Sequence, residues 1–237
     1  MLAGLSVDYV VRLEQGRARH PSAAVLSSLA RALRLSEEER DHLFRIGGVA
    51  IPSVSTIPRH IPPGVQHIVD RLAEVPVAVF SAAWDALLVN DLWLTLFDGP
   101  PLGGRDANLM WREFAAGTSR VRHTREGVLE YRQALVADAR VAAARYPDDV
   151  ALASLIADLR RVSLEFERSW RSATIAAHRE SRKTVESPLV GEITFDCDVL
   201  SAPSSDLRLV VYTVVPGSPD ADKLDLLRVS AVRTFAS

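Results

Sequence analysis

Between Ile51 and Gly64 the chain carries Pro52, Pro58, Pro62 and Pro63 among serines and a threonine. Each proline lacks an amide donor and crowds the preceding turn, so no helix can run through this stretch. It reads as a semi-rigid linker over residues 51–64. It divides the 237 residues into two pieces, 1–50 and 65–237, each of which must bury a core of its own. Apolar residues make up 48% of the chain, enough to pack both.

The first piece opens with Ala3-Gly4-Leu5-Ser6-Val7-Asp8-Tyr9 and runs on to Arg12-Leu13-Glu14-Gln15-Gly16-Arg17. Ser6 is placed to cap a short helix, because its hydroxyl can accept from an unpaired first-turn amide. Val10 and Leu13 fall on the core side at helical spacing, leaving Tyr9, Arg12 and Gln15 on another side. Gly16 supplies the stop. Pro21-Ser22 then starts a second helix whose apolar stripe is Val25, Leu26, Leu29, Ala30 and Leu33. Ser36-Glu37-Glu38-Glu39 starts a third, with acidic residues at the positive end of its dipole, and His42, Leu43 and Phe44 close it before Gly47-Gly48.

These residues resemble the second half of an Xre-type (lambda-repressor-like) helix-turn-helix domain. The resemblance implies a DNA-reading helix, with Ser6, Asp8, Tyr9, Arg12, Gln15, Arg17 and Arg19 as the candidate DNA-binding residues. A helix-turn-helix has a supporting helix ahead of the turn. Only Met1-Leu2-Ala3 precede Gly4, so the domain reads as truncated, and codons for the missing helix are expected upstream of Met1. The net charge of −2 means that any nucleic-acid contact comes from a local patch: Arg12, Arg17 and Arg19 with His20, diluted by Asp8 and Glu14. The plainer alternative is a helical bundle whose arginines are simply solvated.

The second piece changes period along its length. Ile68, Val69 and Leu72 share one face of a short helix. Val77–Phe80 and Ala86–Val89 read as strands of a hairpin across Ala82-Ala83-Trp84-Asp85, and residues 90–97 return to helical spacing. Two long helices follow. Val128, Tyr131, Leu135, Ala139, Ala142 and Tyr146 mark the first. Leu152, Leu155, Leu159, Val162, Phe166 and Trp170 mark the second, with a break near Ser163. Residues 189–199 then alternate apolar and polar, as a strand with one wet face does. Leu209–Val215 is apolar on both sides, as a central strand would be; Arg182–Glu186 is a weaker edge candidate, and residues 221–232 make a final helix. The expectation is an α+β chain: a truncated all-α helix-turn-helix domain, then an antiparallel sheet with helices on one face and a long helical insert.

That arrangement resembles a PAS-like sensor, and specifically the ligand-binding domain of MmyB-type regulators. The matching residues run in order through residues 65 to 230. They are Trp84-Asp85 with Asn90, Asn108-Leu109 before Phe114, Tyr146-Pro147-Asp148-Asp149, and Ser163, Glu165-Phe166 and Trp170. Pro188, Val190-Gly191-Glu192, Leu209-Val210-Val211-Tyr212 and Pro216-Gly217-Ser218 complete the set. The chain departs from the family at Ala107, where arginine is usual, and at Ala173, where histidine is usual.

His20, His42, His60, His67, His123 and His178 are scattered, without metal-ligand spacing, and no nucleophile elbow, phosphate loop or dinucleotide fingerprint occurs. No catalytic residue, metal or cofactor is therefore expected. A pocket is easier to argue, since pockets are mostly apolar with a few convergent polar groups. Its candidate ligand-binding residues are Trp84, Asn90, Arg105, Asn108, Trp111, Phe114, Phe166 and Trp170, with Trp93 adding apolar surface. The aromatics would serve equally as core, and Asn90 would serve equally as a helix cap. The resemblance implies a small amphipathic ligand with an apolar tail, fatty-acid-like or a signalling lactone or furan.

The leading reading is a DNA-binding transcriptional regulator whose C-terminal domain senses such a ligand, with double-stranded DNA as partner and a homodimer expected by analogy. Its rivals are a ligand-binding or dimerisation protein without DNA affinity of its own, and an enzyme acting on an apolar substrate. The single Cys197 excludes an intramolecular disulfide and fits a reducing compartment. No signal peptide or membrane span is legible, so a cytoplasmic protein without a membrane partner is expected.

Overall fold

The computed structural model describes residues 5–18, 20–51, 56–97, 99, 103–117, 120–123, 125–172, 181–202 and 205–235. The chain divides into two compact units, Met1–Val54 and Ser55–Ser237.

The first unit is helical: α1 (Val7–Glu14), α2 (Ala23–Ala32) and α3 (Glu37–Ile46). Serine opens each helix. Ser6, Ser22 and Ser36 accept from the amides of Tyr9, Val25 and Glu39, and Glu39 reaches back to the Ser36 amide at 2.8 Å, closing a capping box. Gly16, at φ +67°, ends α1. The Gly16 amide bonds to the Leu13 carbonyl and the Arg17 amide to the Arg12 carbonyl, the paired geometry of a left-handed helix stop. Leu26, Ala30 and Phe44 are buried between α2 and α3. Leu33, read above as part of the α2 stripe, is 64% exposed. The helix ends at Ala32, and Arg34 turns the chain at φ +53°, carrying Leu33 off the buried face. Helix α1 has no fully buried side chain.

The second unit begins inside the proline-rich stretch. Ile57 is buried and its amide donates to Asp149 Oδ2 at 2.9 Å, so this part of the stretch lies against the unit. Pro63 occupies the first turn of α4 (Pro63–Arg71), where a missing amide costs nothing. Strands β1 (Val77–Phe80) and β2 (Ala86–Val89) form the expected hairpin, followed by α5 (Asp91–Phe97). A short insert comes next: a 3₁₀ turn (Arg105–Ala107), α6 (Leu109–Trp111) and a π-helical turn (Arg112–Ala116). Strand β3 (Val121–Arg122) leads into α7 (Arg125–Arg145), α8 (Val150–Val162) and α9 (Leu164–Ser172). Strands β4 (Ser181–Ser187), β5 (Gly191–Ala202) and β6 (Leu207–Thr213), then α10 (Pro219–Phe235), complete it.

Among the described residues the strands form one antiparallel sheet in the order β2-β1-β6-β5-β4-β3, so β6 is central, as its two-sided apolar pattern implies. The register sorts the side chains. Ala78 faces Val210, Val199 faces Val210, Cys197 faces Tyr212 and Lys183 faces Phe195, which places these residues with Phe80 on one face. Val77, Val79, Leu207 and Val211 lie on the other, packed against Val65, Val69 and Leu72 of the α4 region. Helices therefore cover both faces, not one. Ile68 is 49% exposed, so only Val69 and Leu72 of the expected trio face the sheet. The two-residue β3, which extends the sheet beyond β4, was not legible in advance: two residues carry no period.

Asn90 ties this frame together. Its Oδ1 accepts from the Val77 amide at 3.1 Å and the Trp93 amide at 2.9 Å, and its Nδ2 donates to the Leu72 and Val75 carbonyls at 3.1 and 2.7 Å. One side chain thus joins the end of α4, the start of β1 and the cap of α5. Asn90→Ala leaves four backbone groups short of a partner and is expected to destabilise the second unit by about 2–4 kcal/mol, measured by urea denaturation.

Candidate functional site

The sheet face carrying Phe80, Val199, Val210 and Tyr212 does not meet its covering helices flush. A cavity of about 40 Å³ lies between them, roofed by Trp93 and Phe97 of α5, Leu109, Arg112 and Glu113 of the insert, and Tyr131 of α7. Its apolar end is a run of ring contacts. Phe80 lies 5.4 Å from Trp84 and 6.1 Å from Trp93, and Trp93 lies 4.7 Å from Phe97 and 5.2 Å from Tyr212. Such offset and edge-on pairs are favoured beyond their buried area.

The other end is cationic. Lys183 is only 6% exposed, with Nζ 4.5 Å from the Tyr131 ring and 6.0 Å from the Tyr212 ring. Arg112 and Arg120 line the same space. Glu113 lines it too, but its carboxylate is held by Arg132 at 2.8 Å. Among the described residues no carboxylate forms an ion pair with Lys183 or Arg112. Burial lowers the Arg112 pKa from its ordinary value, while a guanidinium remains charged at any physiological pH. Burial pushes the Tyr131 and Tyr212 hydroxyls and the Cys197 thiol upward, so all three stay protonated. His123 stacks on Tyr131 at 4.7 Å, and its buried Nε2 finds no partner among the described residues. Burial first, then Lys183 and Arg132, lower its pKa to about 4, so the ring is neutral.

Of the eight expected ligand-binding residues, Trp84 alone lines this cavity. It is fully buried, its Nε1 donates to Asp138 at 2.8 Å, and Arg208 lies 4.9 Å from its ring. Asn90 borders a separate 560 Å³ groove and is the structural tie described above. Arg105 and Asn108 line a third hollow of 290 Å³. Arg105 pairs with Asp158 at 2.5 Å and lies 5.5 Å from the Trp111 ring. Asn108 caps α6 through the Trp111 amide at 3.0 Å and donates to the Ala83 carbonyl and Asp85 Oδ1. Phe114, Phe166 and Trp170 form a separate ladder among the helices: Phe114 edge-on to Phe166 at 5.1 Å, Phe166 stacked on Trp170 at 5.9 Å, and Arg132, Arg140 and Arg160 against the rings. Ala107 lines the cavity, whereas Ala173 lies outside the described residues. Trp93, expected to add apolar surface, lines the cavity as well, whereas Phe80, Phe97, Arg112, Arg120, Tyr131, Lys183 and Tyr212 were not among the expected residues. A lysine on the apolar side of an alternating strand was the one available signal.

In the N-terminal unit, Asp8, Arg12 and Gln15 lie four and three residues apart on one exposed side of α1, with Ser6 and Arg17 exposed beside them and Tyr9 half-buried. Arg19 lies outside the described residues. No group of three or more His, Cys, Asp or Glu among the described residues is placed to hold a metal, and no described helix is long and apolar enough to cross a membrane.

The neutral His123 gives the site a pH signature. The unfolded chain takes up its proton near pH 6.5 and the folded chain near 4, so between these values the unfolded state binds more protons. Stability supplied here is complete above about pH 6.5 and is lost as pH falls toward 4. His123→Gln is expected to flatten this part of the stability–pH curve relative to the parent protein, measured by urea midpoints at pH 7.5, 6, 5 and 4.5.

Residues 61–227 match the MmyB-like transcription regulator ligand binding domain, and residues 1–43 match a helix-turn-helix domain. No curated protein is similar enough to match. The first match covers well over half the chain, with an aromatic cavity inside it and an exposed arginine-bearing helix inside the second. The chain belongs to the MmyB-like transcription regulators, DNA-binding proteins that join a helix-turn-helix domain to a ligand-sensing domain.

Proposed function

We propose that the sensed ligand is a fatty-acid-like carboxylate, with its tail among Phe80, Trp84, Trp93 and Phe97 and its head at Lys183, Arg112 and Arg120. The carrying observation is the charge balance of the cavity: Lys183 and Arg112 line it with no ion-paired carboxylate among the described residues, and the Glu113 carboxylate that lines it is already bound to Arg132. A buried ammonium without a counter-ion is costly, and ring faces offset only part of that cost. An incoming carboxylate supplies the missing charge, whereas a neutral lactone or furan does not. In this reading Asn90 and Asn108 shape the frame, and the Phe114–Phe166–Trp170 ladder packs the helices.

The proposed DNA-reading face is Asp8, Tyr9, Arg12 and Gln15, with Ser6, Arg17 and Arg19 at the phosphates. Readers of this type address two half-sites as dimers, which supports a homodimer. Ligand binding regulates DNA affinity to the extent that the ligand prefers one of two arrangements of the protein.

Two measurements test this. By calorimetry, Lys183→Met and Arg112→Gln are each expected to weaken dodecanoate binding by about 1.5–3 kcal/mol, the worth of a hydrogen bond to a charged group. Binding of dodecanol should change little; equal losses for acid and alcohol would refute the carboxylate head. For DNA, an oligonucleotide selected from a random pool serves as probe. Arg12→Ala or Gln15→Ala should cost about 1–3 kcal/mol, and Arg17→Ala should reduce the salt slope by about one. Unchanged affinity in both helix variants would mean that another face reads the bases.

A further inference from the structure

The cavity has one thin wall. Trp84, Ala86, Ala107 and Leu109 line the cavity, while their chain neighbours Ala83, Asp85 and Asn108 line the 290 Å³ hollow outside it. The two segments are joined by an isolated antiparallel bridge between Asp85 and Asn108, by the Leu109 amide on the Trp84 carbonyl at 2.9 Å, and by Asn108 Nδ2 on Asp85 Oδ1 at 2.9 Å. The partition is one residue thick.

Residues just after the N-terminal unit form one wall of the outer hollow. Ile57 and Arg59 line it, with the Ile57 amide on Asp149 Oδ2 at 2.9 Å and Arg59 Nη2 on Asp85 Oδ2 at 3.1 Å. Asp85 is thus bonded to the cavity wall through Oδ1 and to this strap through Oδ2. In sequence the strap follows directly on the N-terminal unit.

A cavity of about 40 Å³ holds a few waters, whereas ligand pockets run to roughly 300–1,000 Å³. An acyl chain therefore enters only if a wall moves. The sheet side resists, because Phe80, Val210 and Tyr212 sit in strands paired along their length. The partition is joined by this short set of hydrogen bonds rather than by a continuous strand ladder, and it is already strained: Trp84 sits at φ +62°, a left-handed conformation that a bulky residue adopts only when its surroundings force it.

We propose that residues 56–60 are a ligand-sensitive strap: filling the cavity pushes the Trp84–Ala107 wall outward, separates Asp85 from Arg59, and frees the strap from the outer hollow. This rests on the carboxylate-cavity reading above. Each freed residue adds up to about 3.5 Å of reach to the connection with the DNA-binding unit. Because coupling is reciprocal, loosening the strap tightens ligand binding.

Hydrogen exchange on the full chain tests the strap with and without dodecanoate. Saturating dodecanoate is expected to speed exchange at the Ile57 amide by about 5- to 150-fold, with the Val210 amide unaffected. Arg59→Gln should raise dodecanoate affinity by up to about 5-fold, the most that so exposed an ion pair contributes. Ala107→Leu and the milder Ala86→Val fill the cavity from within and should speed Ile57 exchange with no ligand present. If dodecanoate fails to bind, the carboxylate reading falls and the two filled variants decide the strap alone. Unchanged Ile57 exchange in a folded filled variant, or in a dodecanoate-saturated parent, overturns it, as does an equal rise at Val210, which would signal general loosening.

Discussion

Strand β6 is apolar on both faces, and the second unit is arranged around that constraint. Val211 and Leu207 on one side require the cover that the α4 region supplies; Val210 and Tyr212 on the other require α5, the insert and α7. A one-residue slip of this strand would carry Arg208 away from Trp84, Asp138 and the Ser81 and Ala82 carbonyls to the opposite face, so its pairing with β1 and β5 is firmly specified. The cavity follows from the same arrangement. On the side of Val210 and Tyr212, rings and long cations stand up from the sheet, and a cavity remains between them and the covering helices.

The electrostatics of that gap separate function from packing. A core built only for stability would place an aliphatic residue where Lys183 stands opposite Phe195. Tyr131, Tyr212 and Cys197 surround the ammonium with polar groups that stay protonated, so none of them neutralises it. Glu113, the acid that lines the cavity among the described residues, is committed to Arg132, which also holds Glu165 at 2.5 Å and so ties the insert to α7 and α9. The cavity therefore combines cationic side chains with a largely apolar enclosure, the combination on which the proposed carboxylate ligand rests.

Charge pairing outside the cavity has a different role. Asp149 shows it well: one carboxylate caps α8 through the Leu152 amide at 2.8 Å and holds the Ile57 amide with its other oxygen. Asp85 likewise divides its oxygens between Asn108 and Arg59. Both acids are polar joints between segments distant in sequence. Their value is in positioning, since a salt bridge as exposed as Arg59–Asp85 adds little stability by itself.

Local chemistry was readable without the fold. Ser6, Ser22 and Ser36 cap the helices they precede, Gly16 stops α1, and the period-two run through Ile193, Phe195 and Cys197 is a strand, because caps and periodicities act over four or five residues. The resemblance in residue order through residues 65 to 230 pointed to the sensor family for the same reason: it rests on residues that shape local backbone, such as Asn90, Asn108 and Asp149. Asn90 and Asn108 also read as site candidates, and in the fold their side chains bind backbone groups of neighbouring segments. An asparagine that holds turns together and one that touches a ligand look alike in sequence, and only the hydrogen-bond partners tell them apart. Which aromatics meet was decided by tertiary structure alone. Trp84, Trp93 and Tyr212 lie on separate elements brought together by strand order, while Phe114 and Phe166 are carried to a different cluster by the helices. Lys183 gained its meaning from the cross-strand register of β4 with β5, a long-range pairing that no local spacing encodes.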